Sequence, residues 1–413
     1  MSVYLLATLD TKGEEAAFLR TRLADQGVAV TLVDVGCLGK PAVEADVSRE
    51  QVYAAAGANL AEVQERRDRG HAVTTAAAGA AALVWDAFDK GKVSGVLALG
   101  GSAGSTIGSA AMRTLPIGVP KLLVSTLASG QVRHYVGDKD ILMLNAVVDI
   151  SGINRISRAI LASAAAAMAG MVRAREVAGQ AAEYATADKP LIAATMFGVT
   201  TPCVEAAKKI LTDSGYEVLV FHATGSGGQA MESLIRDGLI AGVLDITTTE
   251  LADELVGGVL SAGPNRLTAA GERGIPQVVS VGATDMVNFH ARETVPQGFA
   301  KRNLYQHNAS VTLMRTTAEE CAKIGAEIGR KLAAAQGPVA VFLPAKGVSA
   351  IDRAGQPFDD PAARSALFAA IREALAHAGA SERVEVVELD QHINDATFAE
   401  AMARRLLAML RVR

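Results

Sequence analysis

The residues best suited to chemistry in this chain form a loop rich in glycine and hydroxyl groups, GGSAGST at positions 100–106. An apolar run, Val96–Leu99, leads into the loop, and a helical pattern follows it at once. Unpaired amides at a helix N-terminus can bind a phosphate or carboxylate, and glycines let the backbone approach such a ligand closely. The loop is neither a Walker A sequence nor a regular GxGxxG. Two interpretations therefore stand: an anion-binding loop, or a strand-to-helix connection whose glycines serve tight packing.

The first residues of the chain predict a strand, a helix and a second strand at Val3–Leu9, Glu14–Gln26 and Val28–Val33. Asp10 and Lys12 directly follow the first strand. In open α/β sheets, ligands bind at the carboxyl ends of the strands, where these two side chains are expected. Lys12 suits a bound anion, whereas Asp10 is either a ligand carboxylate or a helix cap.

Composition narrows the class of protein. The chain has 413 residues, a formal net charge of -4 with both signs interspersed, and only 4% aromatic residues. No basic stripe is available for nucleic acid, so none is expected as a partner. Three widely spaced cysteines and the lack of a signal-peptide pattern indicate a cytoplasmic protein. The apolar run Ile160–Val172 is interpreted as too short to cross a bilayer, so no membrane association is expected.

The chain contains an internal repeat. The strand, loop and helix pattern of the first half restarts at Leu191, after a polar stretch that marks a boundary between domains 1–185 and 190–413. Two matched strands lie 93 residues apart in the first half and 52 apart in the second, because residues 40–92 add helical sequence to the first half. The repeat also pairs Ser310–Arg315 with Ile141–Val148. We therefore predict a duplicated α/β fold with a βαβα extension at the C-terminal end.

The second half replaces the glycine loop with an acidic, hydroxyl-rich segment and has another glycine loop before its next helix. The candidate substrate-binding residues are Thr224, Gly225, Ser226, Gly227, Gly228, Asp285 and Asn288. The candidate catalytic residues are Asp245, Glu250, Arg302 and His307. His307 is either a general acid or base near neutral pH, or a hydrogen-bonded structural histidine. Asp285 with His290 or His307 is a further metal-site hypothesis, although their spacing matches no recognised ligand motif.

Four segments together resemble a known family: LATLDTKG (6–13), LGGSAGST (99–106), TDMVNF (284–289) and RNLYQHNASVTLMRT (302–316). They are similar to the ATP-binding N-terminal domain of the plant tobamovirus-resistance protein and its bacterial relatives. The resemblance implies two Rossmann-like subdomains with mostly parallel sheets, ATP binding in the first, and a homodimer. It implies a nucleotide site made of Asp10, Thr11, Lys12, Gly100, Gly101, Ser102, Gly104, Ser105, Thr106, Ser125 and Thr126. Asp10 is the nearest candidate ligand for an accompanying Mg²⁺.

Three functional hypotheses follow. The first is a cytoplasmic, nucleotide-binding enzyme that acts on a small anionic metabolite in a cleft between the two subdomains. The second is a non-catalytic regulator or interaction protein controlled by ATP. The third is a nucleotide-independent lyase or hydrolase for a sugar acid, whose anion would occupy both glycine loops.

Overall fold

A computed structural model of the chain describes residues 1–130, 132–182 and 189–411. The chain divides into two compact units, Met1–Thr186 (unit 1) and Ala187–Arg413 (unit 2). Each unit has its own central parallel sheet with helices on both faces. The predicted α/β class, with two Rossmann-like subdomains and largely parallel sheets, is confirmed.

The sheet of unit 1 has the strand order β2-β1-β3-β4-β5, with every pair parallel. Its strands are β1 (Ser2–Ala7), β2 (Val30–Asp34), β3 (Val93–Gly100), β4 (Lys121–Ser125) and β5 (Leu142–Asn145). Its helices are α1 (Leu9–Ala24), α2 (Arg49–Ala55), α3 (Leu60–Glu65), α4 (Arg69–Asp89), α5 (Ser102–Arg113), α6 (Arg133–Val136) and α7 (Arg155–Ala182).

The continuous hydrophobic run of β1 after Ser2 follows from burial on both faces of the sheet. Successive side chains of a strand point to opposite faces. Val3, Leu5 and Ala7 pack in the cluster that contains residues of α1 and α7, whereas Tyr4 and Leu6 pack in the cluster formed with α4 and α5. Strands covered on both faces need apolar residues at every position, which explains the continuous run.

Helix α7 is longer than its apolar sequence run. Within the described residues, its segment Arg155–Val177 is long and apolar enough, by length and composition alone, to cross a membrane. The interpretation of this region as too short was therefore wrong. One side of the helix, including Leu161, Ala165 and Met168, packs in the core of unit 1. A core helix of a folded domain passes the same test of length and composition.

The main sheet of unit 2 has the strand order β14-β13-β9-β8-β6-β7, and a second, antiparallel sheet has the order β10-β12-β11. The strands are β6 (Leu191–Met196), β7 (Glu217–His222), β8 (Gly242–Thr247), β9 (Gln277–Gly282), β10 (Met286–Phe289), β11 (Leu304–Asn308), β12 (Val311–Arg315), β13 (Val339–Pro344) and β14 (Val384–Leu389). The helices are α8 (Thr201–Asp213), α9 (Ser226–Arg236), α10 (Glu250–Val256), α11 (Ala269–Glu272), α12 (Ala318–Ala333), α13 (Pro361–His377) and α14 (Ala396–Leu410).

The first four strands of each unit are arranged in the same order, as the internal repeat predicts. The order β2-β1-β3-β4 in unit 1 corresponds to β7-β6-β8-β9 in unit 2. The pairing of Ser310–Arg315 with Ile141–Val148 was wrong, because β12 belongs to the antiparallel sheet and β13 lies next to β9. Between the second and third matched strands, unit 1 has α2, α3 and α4, whereas unit 2 has only α9.

Candidate functional site

A cavity of about 930 Å³ lies at the carboxyl edge of the sheet in unit 1. The chain turns from β1 to β2 on one side and from β3 to β4 on the other, so the strand order reverses between β1 and β3. Such a reversal point is where open α/β sheets bind ligands. Of the predicted nucleotide-site residues, the lining contains Asp10, Thr11, Lys12, Gly100, Gly101, Ser102 and Gly104.

One part of the lining is the N-terminus of α5. Gly101 is the N-cap residue, and none of the described side chains caps the helix. Ser102, Ala103 and Gly104, the first three residues of α5, all line the cavity. Early amides of a helix have no partner within the helix and carry its positive dipole end, which favours an anion.

The glycines of this loop differ in what they are needed for. Gly100 has a φ of 154°, and a Cβ on Gly104 would lie 2.6 Å from the carbonyl oxygen of Leu99. These two positions are glycine for reasons of backbone conformation and packing. Gly101 is different, because a Cβ there would meet only Thr126 Oγ1, at an ordinary 3.6 Å. The fold therefore tolerates a side chain at Gly101.

Lys12 brings a positive charge to the same cavity. It lies where α1 departs from helical geometry, with φ −131° and ψ 24°. Its ammonium group donates a hydrogen bond to the carbonyl oxygen of Ile150. Beside it, Thr11 Oγ1 is 2.7 Å from Thr8 Oγ1. The lysine is thus held by a neutral acceptor that a ligand phosphate could replace.

The carboxylate of Asp10 is held by the loop that follows β2. Its Oδ2 atom accepts hydrogen bonds from the amides of Leu38 (2.9 Å) and Gly39 (3.2 Å) and lies 3.9 Å from Arg49 Nη1. Its Oδ1 atom is buried and has no hydrogen-bond partner among the described residues. The carboxylate therefore fixes the loop after β2 next to Arg49, and its role as a Mg²⁺ ligand stays a prediction.

Four predicted residues lie outside the lining. Ser105 Oγ and Ser125 Oγ are fully buried and 2.6 Å apart. Thr106 Oγ1 donates to the carbonyl oxygen of Ser102, and the amide of Thr126 donates to that of Gly100. These contacts hold the loop in shape, so the four residues act on the cavity through its backbone.

One wall of the cavity was not predicted from the sequence. It combines apolar and polar side chains from the segment after β2, from α2 and α3, and from the turn that leads into α4; it includes Val35, Leu38, Tyr53, Val63, Gln64, Arg67, Arg69 and Val73. Burial and a hydrogen bond with Cys37 raise the pKa of Tyr53. The available signal was the extra helical sequence at 40–92, which the second half lacks.

In unit 2, the glycine loop before α9 already holds an anion. Glu250 Oε1 accepts hydrogen bonds from the amides of Gly225 (2.7 Å) and Gly228 (3.1 Å). A Cβ on Gly228 would lie 2.3 Å from Glu250 Oε2. A carboxylate of the chain itself therefore occupies the loop in which Thr224, Gly225, Ser226, Gly227 and Gly228 are predicted to bind substrate.

Glu250 and Asp245 are linked by Arg266, whose role was not predicted from the sequence. Arg266 is fully buried and makes two hydrogen bonds to Asp245, of 2.5 and 2.7 Å, and one of 2.6 Å to Glu250. Burial by itself lowers the pKa of Arg266, but the charge and hydrogen bonds of Asp245 raise it well above its ordinary value. Asp245 and Glu250, the predicted catalytic carboxylates, therefore form a buried ionic network with Arg266.

The remaining candidates of unit 2 have separate partners. Asp285 accepts a 2.8 Å hydrogen bond from Ser349, and burial together with the charge of Asp352 raises its pKa to about 7. Asn288 donates a hydrogen bond to Asp253, and Arg302 donates two hydrogen bonds to Glu320. His307 is exposed on β11. Within the described residues, no group of three or more His, Cys, Asp or Glu side chains is placed to hold a metal.

Comparison with known proteins accounts for both units. The model of the Uncharacterised protein family (UPF0261) N-terminal domain matches residues 1–177, and that of its C-terminal domain matches residues 189–410. The chain belongs to the UPF0261 family. It is 51% identical to a UPF0261 protein of Clostridium tetani over 99% of this chain and 98% of that one. Identity to a UPF0261 protein of Rhizobium meliloti is 49%, over 97% and 96% of the two chains.

A plant protein is also similar to this UPF0261 chain. The ToMV resistance protein Tm-1 of Solanum lycopersicum is 43% identical over 98% of this chain, which spans 55% of the tomato protein. The resemblance inferred from the four sequence segments is therefore confirmed. The cavity of unit 1 and the buried network of unit 2 both lie in the part that the two proteins share.

Proposed function

We propose that this chain binds a nucleotide, with ATP as the first candidate, in the cavity of unit 1. The observation that carries the proposal is the convergence of Lys12 and the uncapped N-terminus of α5 on one cavity at the strand-reversal point. Backbone amides and a lysine are the groups that commonly bind nucleotide phosphates. The family resemblance points to the same ligand.

In this proposal, the phosphates lie against Gly101–Gly104 and accept the hydrogen bond that Lys12 otherwise donates to the carbonyl oxygen of Ile150. The exchange replaces a neutral acceptor with a charged one, and charge-assisted hydrogen bonds are roughly twice as strong as neutral ones. The base and ribose lie against the apolar side chains of Val35, Tyr53, Val63 and Val73. A Mg²⁺ ion, where present, is held by the phosphates rather than by Asp10.

We propose binding rather than turnover as the activity, which corresponds to an ATP-controlled regulator. The support is that Asp245 and Glu250 are fully engaged with Arg266, and Arg302 with Glu320. These ion pairs stabilise unit 2 and hold the carboxylates and guanidinium groups against one another. A cytoplasmic location and a homodimer, both expected from the sequence, belong to the same proposal.

Isothermal titration of the full chain with ATP, with and without Mg²⁺, tests the proposal. Lys12→Ala is expected to weaken binding about tenfold to a hundredfold, because a hydrogen bond to a charged group contributes about 1.5–3 kcal/mol. Lys346→Ala is the matched control, since Lys346 is an exposed lysine of unit 2 paired with Asp390. Equal affinity of the Lys12 and Lys346 variants would contradict the proposal, as would the absence of ATP binding by the wild type.

A further inference from the structure

The corner between α3 and α4 places two arginines on the cavity of unit 1. Arg67 and Arg69 both line the cavity, together with Gln64 and Asp68. Arg67 has a φ of 51°, a left-handed conformation that is uncommon for a residue other than glycine. Strained backbone of this kind is often found at sites that bind ligands. The corner is therefore a ligand-facing feature in its own right.

Both guanidinium groups are available to a ligand. Over the described ranges 1–130, 132–182 and 189–411, neither makes an ion pair or a side-chain hydrogen bond. Asp68 lies between them, but its carboxylate accepts a 3.0 Å hydrogen bond from the amide of His71 and caps α4. That hydrogen bond lowers the pKa of Asp68. Its carboxylate therefore stays ionised and remains bound to the first turn of α4.

The corner is separate from the glycine loop. Helix α4 precedes β3 in the chain and α5 follows it, so both helices run opposite to β3 and therefore in the same direction. The two helices pack against each other. Both begin at the carboxyl edge of the sheet, and packed helix axes lie about 8–10 Å apart. Ala72, Val73 and Ile107 line the cavity from the first two turns of these helices. The cavity thus has two cationic regions with apolar surface between them.

The sheet itself does not require this corner. Unit 2 connects its matching strands, β7 and β8, through α9 alone, and its sheet has the same strand order there. The added helices α2 and α3 place Tyr53, Val63 and Gln64 on the cavity, as well as the turn that carries Arg67. Helices α2 and α3 thus add a wall to the cavity that the sheet itself does not need.

We propose that Arg67 and Arg69 bind a second phosphate of the ligand, distinct from the phosphate at Gly101–Gly104. The inference rests on the proposed function and specifies its ligand as a nucleotide with at least two phosphate groups. Paired guanidinium groups suit phosphate because their planar donors match its oxygens. This phosphate is either the end of a polyphosphate chain or a group on the other side of the nucleoside.

The test compares AMP, ATP and adenosine 3′,5′-bisphosphate by calorimetry, with competition against the tightest of them where binding is weak. Relative to AMP, ATP has two further phosphates attached to the 5′ phosphate. The bisphosphate instead has one further phosphate on the 3′ oxygen of the ribose. Wild type is expected to bind at least one of these two about tenfold or more tightly than AMP. In Arg67→Ala and Arg69→Ala that gain is expected to shrink several-fold, with AMP affinity unchanged. The ligand that loses its gain identifies the source of the second phosphate.

Arg66→Ala is the matched control, because it removes the same charge from the same turn at a side chain that contacts His71 and is not part of the lining. The inference is overturned if a variant lacking both Arg67 and Arg69 retains the full gain, or if Arg66→Ala loses as much. Failure of the wild type to bind any of the three ligands overturns the proposed function as well. Binding of AMP with no gain from either added phosphate overturns this inference alone.

Discussion

The carboxylate of Glu250 lies in the amide loop of Gly225, from whose N–H it accepts a hydrogen bond of 2.7 Å. The same carboxylate reaches the amide of Gly228 and the guanidinium of Arg266. In unit 1 the loop at Gly101–Gly104 faces a cavity instead. Two glycine loops of similar composition therefore have different partners, and only the one in unit 1 is open to a ligand.

Gly101→Ala is expected to lower ATP affinity, whereas Gly104→Ala is expected to lower the stability of the fold. A methyl group on Gly101 meets no atom closer than 3.6 Å, so stability is retained while ATP affinity falls several-fold because the methyl group enters the cavity. A methyl group on Gly104 lies 2.6 Å from Leu99 O, and the strain is expected to cost about 1–3 kcal/mol of unfolding free energy. Denaturant unfolding and calorimetry measure the two quantities. A Gly101→Ala protein with wild-type affinity would contradict the placement of phosphate at this loop.

Ser102→Ala and Ser105→Ala are expected to separate binding from positioning. Ser105 is buried and 2.6 Å from Ser125, so its removal leaves the Ser125 hydroxyl with the amide of Leu127 as its remaining partner and costs about 0.5–1.5 kcal/mol of stability. Ser102 is exposed on the cavity, so its removal is expected to weaken ATP binding and leave stability within about 0.5 kcal/mol of wild type. Chemical denaturation and titration of both variants check the contrast. Reduced affinity at wild-type stability in Ser105→Ala would show that Ser105 contacts the ligand directly.

Arg266→Leu is expected to destabilise unit 2 severely. The substitution leaves Asp245 and Glu250 buried without their cation, and breaking a buried ion pair in this way costs about 3–5 kcal/mol. Guanidinium unfolding followed by far-UV circular dichroism measures the loss. Arg330→Ala is the control, because Arg330 is an exposed arginine paired with Glu327, and its change is expected to stay below about 1 kcal/mol. Comparable losses in the two variants would show that the network contributes little.

Asp253 is expected to make stability fall as pH rises toward neutrality. Burial raises its pKa to about 7, against the lowering effect of its bonds with Asn288, whereas the unfolded chain releases this proton near 3.8. Between these values unfolding releases a proton, so the contribution is complete below about pH 4 and is lost by about pH 7. The expected slope is on the order of 1 kcal/mol per pH unit.

Unfolding of wild type and Asp253→Asn at about pH 5, 6, 7 and 8 isolates this group. The amide resembles the protonated carboxyl, so the variant is expected to lose less stability than wild type over this range. Asp213→Asn is the control, since Asp213 is exposed and paired with Lys209 at the surface. Parallel pH profiles for wild type and Asp253→Asn would exclude a raised pKa at this position.

Local pattern was sufficient to predict most strands of the two parallel sheets and the cavity loop, because apolar runs and glycine spacing are properties of neighbouring residues. The apolar run Val3–Ala7 predicts a buried strand, and the residues after β1 and β3 do meet at one edge. Strand partners are non-local, and Ser310–Arg315 has the same apolar pattern as a strand of the main sheet. Its assignment to the main sheet therefore failed.

Charge pairing could not be predicted for the same physical reason. Glu250 and Arg266 are 16 residues apart, and Arg266 lies 21 residues from Asp245. Nothing in their neighbouring sequence distinguishes a carboxylate that is neutralised in the core from one that faces a substrate. The wall formed by Tyr53, Val63 and Arg67 was missed because its position depends on how α2 and α3 pack.

The carboxylate of Glu250 has a thermodynamic consequence for the two units. A side chain belongs to the chain and is always present at the same effective concentration, so the glycine loop of unit 2 is filled under all conditions. Under the proposed function, a diffusible nucleotide stabilises unit 1 by an amount that rises with the logarithm of its concentration relative to its dissociation constant. At fixed pH, the melting temperature of unit 1 is then expected to rise with the nucleotide level, whereas that of unit 2 is expected not to respond to it.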